Sequence, residues 1–279
     1  MAMRIKLVLK TTYQFALVSS LVLLMFSYAN AQSQESVANQ DYRLRLTNRT
    51  QLFEVIEVNT KGKDITLRLK NGYEKSIIDF KIALPRPLGK DGMVIDYVGE
   101  PVVIAPGSTY EYKFSLPPSH LEVQNEAKTE REVVIAAVVF DDRTGDGDRE
   151  KAATMVAERL GERIQVSRIL PLLQGVLELP DSDLQRGLES LKSQVAALSR
   201  DPSGESEAIE ILRSKYENVF ERQKDNLIGE IGTGLYFGQG KFLVRIRELE
   251  KQVSEKSDAS LRRELKALRQ EYEKALSSL

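Results

Sequence analysis
The sequence predicts an α+β chain, an antiparallel β-sandwich over residues 41–142 followed by an all-helical region over 143–279. Two observations carry this. Apolar residues alternate with period two up to about Asp142, and from Asp148 onward they recur every three or four positions. The change falls within "AVVFDDRTGDGDRE", residues 137–150, where an apolar run ends in a cluster of acids and glycines.

Ahead of the sandwich lies a leader. Arg4, Lys6 and Lys10 precede an almost wholly apolar stretch from Phe15 to Phe26, and Ala29-Asn30-Ala31 supplies small residues at a cleavage site. That order predicts a signal peptide over 1–31, with the chain exported to the periplasm or the extracellular medium and no transmembrane segment after cleavage. The apolar stretch is shorter than the roughly 20 residues a bilayer requires. Removing the leader takes three basic residues and no acids, lowering the formal charge from −1 to −4. A mildly acidic chain has no electrostatic footprint for nucleic acid. With no cysteine it forms no disulfide and carries no thiol for a lipid anchor. Residues 32–40 read as a flexible mature N-terminus.

The strands follow in order. "YRLRL" places Tyr42, Leu44 and Leu46 on one face, and "DITLRLKNG" does the same with Ile65, Leu67 and Leu69. "SIIDFKIAL" sets Ile78, Phe80, Ile82 and Leu84 opposite a wet face of Asp79 and Lys81, and "TYEYKFSL" sets Tyr110, Tyr112, Phe114 and Leu116 opposite Glu111 and Lys113. Side chains of a strand switch faces at each residue, so these are half-buried strands. "EVVIAAVVF" does not alternate, which suits a central strand covered on both sides. Asn71-Gly72, Asp91-Gly92, Pro106-Gly107 and Pro117-Pro118 mark the turns.

"LRLKNGYEKSIIDFKIAL" followed by "VVIAPGSTYEYKFSL" resembles the immunoglobulin-like sandwich modules of exported bacterial proteins. The full layout, with "VVFDDRTGDGD" leading into helices, resembles a group of uncharacterised exported bacterial proteins that join such a sandwich to a helical region. The resemblance implies an immunoglobulin-like fold and carries no function with it.

In the second half, "REKAATMVAERLG" ends on Gly161, a helix stop, and Pro171 bends or restarts the next segment. Ser182-Asp183-Leu184-Gln185 matches a capping box, after which Leu184, Leu188, Leu191, Val195 and Leu198 keep helical spacing. Ile209, Leu212, Tyr216, Phe220 and Leu227 stripe one further helix. Phe242, Ile246, Leu249 and Val253 stripe another, after a glycine-rich interruption. Leu261, Leu265, Leu268, Tyr272, Ala275 and Leu279 alternate by four and three, a short coiled-coil-like end that is out of phase with the preceding stripe and so implies a break near Ser257-Asp258. This seam serves either intramolecular helix packing or self-association.

Few residues suggest chemistry. Starting at Asp142, Asp146 and Asp148 fall at positions five and seven of a calcium loop with Gly147 at six, but position twelve is Ala153 instead of a chelating glutamate. The rival reading makes the cluster a strand-to-helix hinge with Asp148 as helix cap. Gly232-Thr233-Gly234 lacks the third glycine of a dinucleotide fingerprint, and Gly240-Lys241 is followed by Phe242 where a phosphate loop needs Ser or Thr. "NLIGEIGTGLYFGQGKF" therefore reads as a flexible connection with Leu235, Tyr236 and Phe237 as an apolar tip, either a partner contact or core. His120 is the only histidine, so one chain cannot assemble a zinc site of the usual ligands. The expectation is a non-enzymatic binding or scaffold protein of the envelope without cofactor, its partner an envelope or extracellular protein. The alternatives are a calcium-dependent glycan binder or hydrolase using 141–148, and a self-assembling structural protein.

Overall fold
The computed structural model describes residues 36–38, 43–88, 92–98, 101–116, 130–253 and 258–278. The leader at 1–31, Tyr42, Asp91, the Pro117-Pro118 turn, His120 and Leu279 lie outside them. Among the described residues ten strands precede five helices: β1 (Ser36–Ala38), β2 (Arg43–Asn48), β3 (Phe53–Lys61), β4 (Asp64–Asn71), β5 (Ile77–Leu88), β6 (Gly92–Val98), β7 (Pro101–Ile104), β8 (Thr109–Ser115), β9 (Glu130–Phe140) and β10 (Gly145–Gly147), then α1 (Arg149–Leu177), α2 (Leu184–Ala196), α3 (Ser206–Lys215), α4 (Glu217–Val253) and α5 (Asp258–Ser278). The α+β class is as expected.

The strands form two sheets, one ordered β1-β2-β9-β5-β6 with β7 on β5 and β10 on β9, the other ordered β3-β4-β8. Buried side chains of both share one core, including Phe53, Ile65, Leu67, Leu69, Phe80, Ile82 and Ile135. Pairing is antiparallel except between β2 and β9, which run parallel from Arg43↔Glu130 to Asn48↔Ile135. Residues 36–38, expected to be flexible, pair with β2 instead.

As the unbroken apolar run of β9 requires, it lies between β2 and β5 and is buried on both faces. Val133, Ile135, Val138 and Phe140 face the inter-sheet core, while Ala137 and Val139 face the helices. Strand β5 departs from expectation. A register shift between Ile77 and Asp79 puts Ile77 with Phe80 in the inter-sheet core and turns Ile78 toward the helices. A bulge adds one residue and so reverses the alternation beyond it. The face expected to be wet is covered by α1: Arg159 donates to the Ile78 carbonyl at 3.0 Å and its Nε lies 3.9 Å from Asp79.

Small residues permit that covering. Ala137 on β9 and Ala152, Ala153 and Ala157 on α1 are fully buried where helix meets sheet. The helix runs on through Gly161 and Pro171 to Leu177, so Gly161 is not a stop. A Cβ on Gly161 would lie 2.0 Å from the Ile231 carbonyl oxygen of α4, and one on Gly234 would lie 1.9 Å from the Glu158 oxygen of α1. The glycines mark a crossing where two helix backbones touch. The expected flexible connection at 226–242 is instead helical: Gly234 and Gly238 form a packing face of α4 against α1, while Gly229 and Gly240 meet nothing within 4 Å.

Other boundaries also move. The capping box at Ser182 is not used; Asp181–Asp183 form a 3-10 turn and Asp183 caps α2 without a side-chain bond. The stripe from Ile209 to Leu227 is divided at Tyr216, whose φ of −131° and ψ of 38° end α3. The break expected near Ser257-Asp258 falls at 254–257, outside the described residues; α4 is described to Val253 and α5 from Asp258. No helix among the described residues is long and apolar enough to cross a membrane.

Candidate functional site
The acid turn is built by the end of β9 and the short return strand β10. Asp146 pairs with Val138 across that hairpin, and Gly147 adopts φ 89°, where a Cβ would meet the Ala136 carbonyl oxygen at 2.4 Å. Only glycine fits there.

The three aspartates of the calcium reading face three different sets of partners. Asp142 accepts from Lys75 Nζ at 2.6 Å and from the Thr144 hydroxyl and amide at 2.6 and 3.0 Å. Burial raises its pKa, but Lys75 and Thr144 outweigh burial and hold the carboxyl down at about 2. Asp146 accepts from the Gln51 and Leu52 amides at 2.7 and 2.8 Å, tying the start of β3 to the turn. Asp148 caps α1 by accepting from the Glu150 and Lys151 amides at 3.0 and 3.2 Å. Among the described residues no group of three or more acids or histidines is placed to hold a metal ion. The geometry is that of a strand-to-helix joint.

A second cluster sits behind it, where α1 crosses β5. Burial pushes the Asp79 carboxyl up to about 6 against the opposing pull of Arg159 and Lys81. Nothing in the sequence marked this pair, because Asp79 occupies a position that reads as solvent-facing.

The expected apolar tip is divided by the helix it lies on. Leu235 is fully buried, whereas Tyr236 and Phe237 are 53% and 41% exposed. Tyr236 is backed by the Arg200 guanidinium, 4.9 Å from its ring centre, and Arg200 in turn bonds Gln239, buried among the α2 carbonyls. Phe237 and Val244 stand seven residues apart, two helical turns, so they share one face of α4 with Lys241 between them. Val244 is 50% exposed. It borders a groove of about 480 Å3 among α1, α4 and α5, lined also by Glu162, Val166, Lys241, Arg245, Glu271 and Tyr272. Lys241 pairs with Glu162 at 2.7 Å and Arg245 with Glu271 at 3.1 Å, so the groove is apolar along its floor and charge-balanced along its rim. The sequence held one sign of Val244, its offset from the Phe242–Ile246 stripe.

The C-terminal seam faces inward. Leu261, Leu265, Leu268 and Tyr272 are buried in one core with Val166, Ile169, Leu173, Leu188 and Phe242, and the Tyr272 ring meets Phe242 edge-on at 5.2 Å. In this arrangement the seam packs within the chain, with Leu261, Leu265 and Leu268 fully covered and Tyr272 keeping only its edge on the groove. Comparison with known proteins gives no match to a family model, a curated protein or a solved structure.

Proposed function
We propose that this chain is an exported, non-enzymatic binding or scaffold protein of the cell envelope, holding a protein partner through the helical half at the α4 face. Export rests on the leader at 1–31. The immunoglobulin-like reading of the β half belongs to the same proposal; two sheets over about 100 residues that share one core support it. The reading invokes no cofactor, and the bonds of Asp142, Asp146 and Asp148 within the joint support assigning the acid turn a structural role.

The observation that carries the reading is the exposure of Phe237 and Val244 on one helix face, Val244 bordering a groove, while Phe242, Ile246 and Leu249 of the α4 stripe are buried. Exposed aromatic side chains at the edge of a concave apolar surface are how protein interfaces anchor. The partner supplies apolar side chains for the groove floor and polar groups for the Lys241–Glu162 rim.

The test uses the intact chain, because α1 covers Ile78, Ala137 and Val139 and a deletion of the helices would uncover them. Phe237→Asp with Val244→Asp replaces two half-exposed side chains and leaves the fully buried Leu235, Phe242 and Ile246 of α4 unchanged, and circular dichroism of the double variant checks that it folds. Crosslinking in cells followed by recovery should lose the partner by about tenfold or more with this double variant. Recovery of the same partner at undiminished yield would refute the α4 assignment.

A further inference from the structure
Where the β9–β10 turn meets α1, α3 and the last turns of α5, a recess of about 290 Å3 is lined by Arg143, Arg163, Ser167 and Glu207 over an apolar wall that includes Leu160 and Ile211. Arg143 is held there by its backbone. Its φ is 65°, a conformation that side chains other than glycine, asparagine and aspartate seldom adopt, and its carbonyl accepts from the Tyr216 hydroxyl at 3.1 Å. The Nε of Arg143 is buried and has no hydrogen-bond partner among the described residues. A donor left in that state forfeits its hydration without return.

The two guanidiniums also oppose each other. Burial depresses the pKa of Arg143, the charge of Arg163 depresses it further, and the attraction of exposed Glu207 is weaker than that repulsion. Glu205, on the rim, is taken by Arg168. Neither Arg143 nor Arg163 belongs to an ion pair among the described residues. Two guanidiniums lining one recess beside an apolar wall complement a planar or tetrahedral anion carried on a hydrocarbon body. The volume sits at the low end of ligand pockets, which limits that body to a short one.

We propose that this recess binds a small amphiphilic anion, a carboxylate or phosphate on a short apolar body, with Arg143 and Arg163 clasping the head group and Leu160 and Ile211 contacting the body. The site is separate from the α4 face and does not depend on it.

Calorimetric titration of the purified protein with hexanoate and with hexyl phosphate, against hexylammonium as control, tests this. At least one anion should bind with about tenfold or greater preference over the ammonium, and the tighter of the two identifies the head group. Arg163→Gln and Arg143→Asn, the latter chosen because asparagine tolerates the left-handed turn, should each weaken binding by about tenfold or more. Without ligand, Arg163→Gln should melt no earlier than the parent, since it removes a repulsion. Equal binding of hexylammonium, no binding of either anion at millimolar concentration, or affinity unchanged in both variants would overturn the proposal, as would a lowered melting point of unliganded Arg163→Gln with affinity intact.

Discussion
At the scale of single residues, two aspartates give the fold opposite responses to pH. Asp79 holds its proton up to about 6 in the folded chain against the ordinary 3.8, so the fold takes up protons between those values. Stability from this group is therefore greatest below about 3.8 and falls as pH rises through 6, by on the order of 3 kcal/mol. Asp142 acts the other way. Held at about 2, it contributes stability above 3.8 that is lost as pH falls toward 2. Urea midpoints measured across pH should show both limbs. Asp79→Asn should flatten the upper one and Asp142→Asn the lower one, whatever either variant does to absolute stability. A parent midpoint that does not decline between pH 4 and 6 relative to Asp79→Asn would dismiss the Asp79 account. The hinge reading of the acid turn was legible in the sequence, since Asp148 precedes the first helical residue and glycines flank Asp146. Its partners were not: Lys75, Gln51 and Leu52 come from connections distant in the chain, and single-chain spacing carries no record of them.

At the scale of elements, glycines on α4 separate two roles. Gly234 lies in the crossing with α1, where a methyl group would strike backbone, while Gly240 has nothing within 4 Å of its missing Cβ. Gly234→Ala should lower stability by about 3 kcal/mol or more, because neither backbone can yield alone. Gly240→Ala should raise it by about 0.5–1 kcal/mol through helix propensity. Thermal melts of the two variants decide; equal effects would mean the helices do not cross at Gly234. This crossing also shows why the glycine-rich stretch misled a reading of local pattern. Glycine in sequence signals a turn, and its use as a contact surface appears only once Gly161 and Gly234 are seen to face opposite helices. Strand β4 is the contrasting case. Ile65, Leu67 and Leu69 alternate without a bulge, and all three are buried as read. In β5 one inserted residue reversed Ile78, and alternation alone cannot register an insertion.

At the scale of the whole molecule, α1 joins two cores. Its first half, from Ala152 to Leu160, packs on the sheet, and its second half, from Val166 to Leu177, packs among α2, α4 and α5. A helix of 29 residues is about 43 Å long, enough to reach through both. The change of period near Phe140 was plain in the sequence; the sharing of one helix between the halves was not, since Gly161 and Pro171 read as interruptions. The halves should therefore unfold together. In rising denaturant, helical circular dichroism and the amide protection of β4 should be lost over the same range. Protected β4 amides persisting after the helical signal has gone would separate them. The same geometry has a mechanical corollary: only Asp148 separates β10 from α1, so sheet and bundle have no slack tether between them and cannot be drawn apart without breaking α1 or its packing.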